Sequence, residues 1–337
     1  MLFPAEFAPQ EFIQLTWPHR DTDWADIYDE VTECYCALAH EISIREPLLI
    51  VAQNPDEVQL QLQNHNIERK NIRLFQCKTN DTWARDHAFI SCLHNNQRIL
   101  MDFQFNGWGL KFAANYDNQI NRKLFSAEMI EGVYTDCLDF VFEGGSIESD
   151  GEDTLLTTTS CLLAENRNNM TDKKDIEAAL LNFFNAKRVL WLDHSWLAGD
   201  DTDGHIDTVA RFCNRETIAY VSCNDPADEH YPELKAMEDE LKAFRTTDGR
   251  PYKLVPLPLP SAIYEDEERL PATYANFLIM NTAVLMPTYG QKENDAIAME
   301  QLRHIFPEKE IVGIDCRVLI KQHGSLHCST MQYPAIG

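Results

Sequence analysis

The chain has 337 residues, 44% hydrophobic and 10% aromatic, enough for a sizeable core and too apolar for a disordered segment. Its 29 lysines and arginines face 54 aspartates and glutamates, a formal net charge of −25. Such a surface repels phosphate backbones, which excludes nucleic acid as an expected partner, and draws small cations into any cleft lined with carboxylates.

In chain order, apolar runs of strand length fall at 47–52, 72–77, 99–105, 154–162, 217–223, 253–259, 276–280, 283–287 and 310–314. Helix-period segments lie between them at 24–43, 55–64, 174–185, 231–244 and 295–306. In the third of these, Ile176, Ala179, Leu180 and Phe183 return to one face, and Asp228 with Pro232 marks the start of the fourth. The turn cluster 246–249 and the acidic run 261–269 are short enough to be loops, so residues 1–337 are expected to form a single catalytic domain. The class is α/β or α+β. Polar segments recur at intervals of roughly 50–70 residues from Asp86 through Glu143, His205 and Asn276 to Cys328, compatible with five strand–helix units around a shared centre.

No run approaches the roughly 18 apolar residues of a membrane span. The opening Met1-Leu2-Phe3-Pro4-Ala5-Glu6 has no basic stretch leading into an apolar one, so no secretory leader is expected. Ten cysteines are scattered without any Cys-x-x-Cys, so the usual zinc and redox spacings are missing. Reduced thiols in the cytoplasm are the expectation. His323 and His327 stand four apart beside Cys328, but Gly324 and Ser325 argue against a helix there, and no metal is expected.

Four segments carry chemistry that suits Cys328, in Gly324-Ser325-Leu326-His327-Cys328. Asp203-Gly204-His205-Ile206-Asp207 sets an imidazole and a carboxylate two apart; on a strand they share a face and one pocket. Phe142-Glu143-Gly144-Gly145 brings a glutamate out of an apolar stretch into two glycines. Read alone, it favours a tight turn with an exposed Glu143 over a buried acid. Trp83-Ala84-Arg85-Asp86 joins an aromatic wall to a carboxylate that can hold a planar cation, although Arg85 and Asp86 equally read as an ion pair. Asn106-Gly107-Trp108-Gly109 reads as a loop carrying a second aromatic, beside the site or in the core. A thiol, an imidazole and several carboxylates together point to nucleophilic attack on a cation.

These segments, with Trp17-Pro18-His19-Arg20 before them and Glu143 to Glu148 and His327-Cys328 in order, resemble the agmatine deiminase family, which also holds the bacterial peptidylarginine deiminases. The likeness runs over essentially the whole chain. It implies the pentein fold, a five-bladed α/β propeller with pseudo-fivefold symmetry and a central active site. It also implies hydrolysis of the guanidinium of agmatine to N-carbamoylputrescine and ammonia without metal or organic cofactor. Carried over, Cys328 is the nucleophile, His205 the general acid/base, Asp86 and Asp207 the carboxylates that clamp the guanidinium, and Glu143 the acid beside the histidine. Trp83 and Trp108 are expected to touch the substrate, and Asp201, by its position four residues before His205, to receive the distal ammonium. Two departures lie beside the site: Gln322-His323-Gly324 where the family often has three glycines, and Arg85-Asp86-His87-Ala88-Phe89 where Arg-Asp-x-Gly-Pro is common. A peptidylarginine deiminase and an amidinotransferase remain the alternatives. The expected partner is a small guanidino cation, a homo-oligomer being compatible with it.

Overall fold

A computed structural model describes residues 1–168, 170 and 172–337. Its strands form five separate sheets built on one pattern, plus a two-stranded hairpin. In each sheet an antiparallel pair is followed by a parallel one. Parallel neighbours need a connection that carries the chain back across the sheet, and helices supply it. Thus Lys173–Phe184 joins Thr154–Thr158 to Arg188–Leu192, Tyr231–Ala243 joins Thr217–Ser222 to Lys253–Pro258, and Lys292–Ile305 joins Ala283–Thr288 to Glu310–Asp315.

The first sheet has an extra strand, and its composition closes the chain on itself. Thr330–Pro334 pairs antiparallel with Gln10–Thr16, whose other edge pairs parallel with Leu48–Ala52, followed by Ile72–Gln76. Leu48–Ala52 is buried throughout, as expected of a central strand covered on both faces. Its flanking helices are Tyr28–Ser43 and Pro55–Asn64, the latter with Asn54 accepting from the Glu57 N–H and Pro55 in the first turn. The joined ends bring the final segment, with Cys328, against the first.

Most expected elements form close to their predicted bounds; three readings change. The run 154–162 is strand only to Thr158, after which Thr159–Leu162 turns as a short helix. The run 276–280 shrinks to Leu278–Ile279, because Asn276 is spent on the loop that carries Cys328. His205 and Asp207 do not lie on a strand: Ile206–Thr208 is a 3-10 turn that begins after His205. Val133–Val141 escaped notice because its partly exposed face carries Asp136 and Asp139, which break the apolar pattern.

Candidate active site

Cys328 follows the 3-10 turn Leu319–Gln322 and a left-handed His323. Asn276 ties its loop down: Asn276 Oδ1 accepts the N–H groups of His327 at 2.9 Å and Cys328 at 3.3 Å, and lies 3.4 Å from Cys328 Sγ. Gly324 is required by Trp83, since a Cβ there would stand 2.4 Å from the indole. Trp83 is thereby pressed flat against the nucleophile's loop.

Asp207 Oδ2 lies 3.7 Å from Cys328 Sγ and 2.7 Å from His327 Nδ1, while Asp207 Oδ1 is buried without a partner. Asp86 accepts from Trp108 Nε1 at 2.9 Å and from the Gly145 N–H at 3.0 Å. His205, fully buried, sits between two acids, with Nδ1 3.6 Å from Asp86 Oδ1 and Nε2 3.5 Å from Glu143 Oε2. Neither ring nitrogen makes a hydrogen bond. Glu143 is therefore not the exposed residue of a turn: it is fully buried and clamped by Arg167, whose Nε reaches both carboxylate oxygens at 2.8 and 3.0 Å. Arg85 does not pair with Asp86 but with Glu6, at 3.0 Å.

Burial and charge pull these groups in opposite directions. Burial, with Asp207 and Asp86 adding to it, pushes the Cys328 thiol well above its ordinary value. Burial alone would lower His205, but Asp86 and the neighbouring Cys161 and Glu143 override it and hold the imidazole well above its ordinary value. Glu143 is lowered despite burial, by His205 and Arg167. Asp207 is lowered likewise, chiefly through His327. Asp86 is raised to about 6, because burial and the nearby carboxylates outweigh His205. The resting centre thus holds a protonated thiol, an imidazolium and ionised acids with room for another positive charge.

The cleft above these groups is lined by Asp23, Asp81, Trp83, Trp108, Asp201 and Cys328, and no lysine or arginine lines it. Asp81 is raised to about 6 by burial. Asp201 stands at the rim, its carboxylate 3.7 Å from His323 Nδ1 and 38% exposed.

Two groups of acids and histidine have metal-like spacing, Glu143 with Cys161 and His205, and Glu6 with Glu148 and His327. An arginine already serves each as counter-cation: Arg167 on Glu143, and Arg211 on Glu6 and Glu148. The histidines beside Cys328 diverge, His323 to the Gly199 carbonyl and His327 to Asp207.

All eight site residues expected from sequence gather here, with Asp201 at the edge. Sequence reasoning missed Arg167 and Glu6, and marked Asn276 only as a beat of the polar rhythm, with no role at the site. None stands in a glycine-bracketed motif, and a buried arginine has no local signature.

The model of the Porphyromonas-type peptidyl-arginine deiminase family matches residues 2–334. The agmatine deiminase of Pseudomonas syringae pv. tomato is 30% identical, the alignment covering 98% of this chain and 95% of that one. A solved Porphyromonas gingivalis protein, provisionally named an arginine deiminase, is 52% identical, with TM-score 0.94 and coverage of 99% and 98%. The agmatine deiminase of C. jejuni, solved with substrate bound, is 39% identical, with TM-score 0.91 and coverage of 99% and 96%. A dimethylarginine dimethylaminohydrolase shares the mixed α/β fold at TM-score 0.51 and 13% identity.

Proposed function

Because the chain belongs to the Porphyromonas-type peptidyl-arginine deiminase family, we propose that it hydrolyses the guanidinium of agmatine to N-carbamoylputrescine and ammonia. The observation that carries this reading is the unpaired negative charge around Cys328. Asp207 Oδ1 has no partner, Asp86 stands 3.6 Å from His205, and the cleft above adds Asp23, Asp81 and Asp201 against a single histidine, His323, with no lysine or arginine among its described lining residues. A guanidinium, ionised at any physiological pH, fits that deficit. The same carboxylates oppose the α-carboxylate of free arginine, which favours agmatine. A peptide-borne arginine is the competing substrate, since the family bears that name.

In this reading Asp86 and Asp207 fix the guanidinium plane and present its central carbon to Cys328. The bound cation cancels the two carboxylates that raise the thiol, so the substrate itself favours the thiolate. The thiol proton passes to Asp207, whose Oδ2 lies 3.7 Å from Sγ, and sulfur bonds to carbon; the proton returns to sulfur when the C–S bond later breaks. The His205 imidazolium gives its proton to the departing nitrogen, and ammonia leaves. Neutral His205, kept basic by Glu143, then takes a proton from water; the resulting hydroxide attacks the amidino-thioether, and the C–S bond breaks. The net reaction consumes one water and releases one ammonia. Amidino transfer would instead expel the alkylamine of the substrate in the first step, release no ammonia, and need an acceptor amine in the cleft.

We read the five sheet units as blades of one catalytic domain about a common axis. The repeated antiparallel-then-parallel pattern and the closure of the last strand on the first support this. A cytoplasmic location rests on ten free, buried cysteines and on no described helix long and apolar enough to cross a membrane.

The test is mass spectrometry of protein quenched during turnover of agmatine, arginine and an arginyl peptide in turn. An amidino adduct on Cys328 with agmatine is expected. An active Cys328→Ser variant without any adduct would sink the mechanism, and faster turnover of the peptide would reassign the substrate.

A further inference from the structure

The catalytic centre has a rear as well as a mouth. Between its floor and the N-terminal segment lies a cavity of about 60 Å³, lined by residues that include Phe3, Pro4, Glu6, Arg85, Gly144 and Glu148. The segment before Gln10–Thr16 makes a single β-bridge, Leu2 with Leu93, and otherwise no helix or strand, yet it carries one carboxylate inward: the Glu6 side chain is 15% exposed.

Four side chains converge on that carboxylate. Glu6 Oε1 accepts from Arg85 Nη1 at 3.0 Å and lies 2.8 Å from His327 Nε2. Glu6 Oε2 lies 2.9 Å from the same His327 nitrogen, accepts from Gln332 Nε2 at 3.1 Å, and pairs with Arg211. Burial would raise the Glu6 carboxyl, but Arg211, Arg85 and His327 outweigh it, and Glu6 stays ionised. Arg85 directly precedes Asp86, and its N–H donates to the Cys328 carbonyl at 3.1 Å; His327 directly precedes Cys328. One carboxylate thus binds the neighbours of both a clamping acid and the nucleophile.

Two arginines and a histidine held this close repel one another without an anion between them. Burial pushes His327 down, Arg211 and Arg85 push it further, and Glu6 and Asp207 act the other way. With Glu6 pairing Arg211, the neutral ring is held at both nitrogens: Nδ1–H donates to Asp207 Oδ2 at 2.7 Å, and Nε2 accepts from Arg211 Nη2 at 3.0 Å. The contact at Oδ2 fixes the Asp207 carboxylate and leaves Oδ1, buried and unpartnered, as the oxygen open to a ligand.

We propose that Glu6 is a positioning residue of the catalytic centre: by anchoring Arg211 on Nε2 it holds His327 against Asp207 Oδ2, and so keeps Asp207 Oδ1 free for the guanidinium. The proposal rests on the deiminase reading only for the identity of that ligand. The N-terminal segment is then part of the catalytic apparatus, acting from behind the site without touching substrate.

The test compares E6Q, H327Q and the double variant in the full chain, each checked for folding by circular dichroism. Each single change is expected to lower kcat/KM for agmatine at least tenfold and to shift its pH profile. The double is expected to fall no lower than H327Q, because both act through one contact. Additive losses, or wild-type kcat/KM and pH profile in E6Q, overturn the proposal. Should E6Q not fold, an unchanged pH profile in H327Q overturns it equally. If the wild-type chain releases ammonia from neither agmatine nor arginine, the functional reading fails, and iodoacetamide alkylation of Cys328 against pH decides the positioning role by itself. Removing the Glu6 anion leaves Arg85 and Arg211 uncompensated, so the alkylation midpoint should move to lower pH in E6Q. An unmoved midpoint overturns the proposal.

Discussion

Gly145 leaves no room for a side chain against His205: a Cβ built on it would stand 2.5 Å from His205 Nδ1, 2.9 Å from Asp86 Oδ1 and 3.1 Å from Asp207 Oδ2. Three reacting groups meet at the surface of one glycine, and its N–H donates to Asp86. Gly145→Ala must displace at least one of them. Since displacement of about 1 Å costs about a hundredfold in rate, kcat/KM for agmatine is expected to fall by at least that factor while the protein stays folded. Steady-state ammonia release with a melting curve checks this; near-wild-type activity would show that the three groups tolerate movement.

Removing the counter-cation of Glu143 should hurt stability as well as rate. Arg167, its side chain 2% exposed, bonds both Glu143 oxygens, Asp203 and the Thr202 carbonyl. Arg167→Met leaves the buried Glu143 carboxylate with His205 as its one charged partner, and removing one partner of a buried pair costs about 3–5 kcal/mol. Urea unfolding should register most of that loss, and the variant should be nearly inactive because Glu143 then takes up a proton. A loss under about 1 kcal/mol would mean that water reaches Glu143.

The resting thiol should be sluggish. Cys328 is held well above its ordinary value, so the thiolate appears only at high pH. Iodoacetamide should alkylate Cys328 more slowly at pH 8 than it alkylates a free cysteine, with the rate still climbing above pH 9. A midpoint below pH 8 in the ligand-free protein would contradict the reading that the substrate cation activates the thiol.

Asp86 makes ligand stabilisation depend on pH. Its folded value of about 6 lies above the ordinary carboxylate range, so the folded chain binds that proton more tightly than the unfolded chain. Its contribution to stability is present below the ordinary range and is lost as pH rises through about 6. A bound guanidinium recovers it by pairing with the ionised acid. In Cys328→Ser, saturating agmatine should therefore raise the melting temperature more at pH 7 than at pH 5. Equal shifts at both pH values would remove Asp86 from the cation site.

Asp201→Asn tests the far end of the substrate. The carboxylate is 38% exposed at the cleft rim, so its attraction for an ammonium is screened. A rise in agmatine KM of about two- to fivefold with little change in kcat is expected, weakening as salt is added. An unchanged KM would transfer the role to Asp23 or Asp81, which line the same cleft.

Residue types and their order decided the chemistry. Cys328, His205, Glu143, Asp86 and Asp207 stand in segments bracketed by glycines or aromatics, because reacting groups need close backbone approach, and that need leaves a local mark. The alternation of apolar runs and helix-period segments likewise announced a mixed α/β fold, since burial of one face is written into the spacing. Other features were decided only by tertiary structure. The placement of His205 before and Asp207 within a 3-10 turn, and the burial of Glu143, depend on what packs against them. The partner choices of Arg167, Arg85, Arg211 and Glu6 join residues up to hundreds of positions apart. Charge pairing in a dry interior is fixed by proximity in space, and proximity leaves no trace in the local sequence.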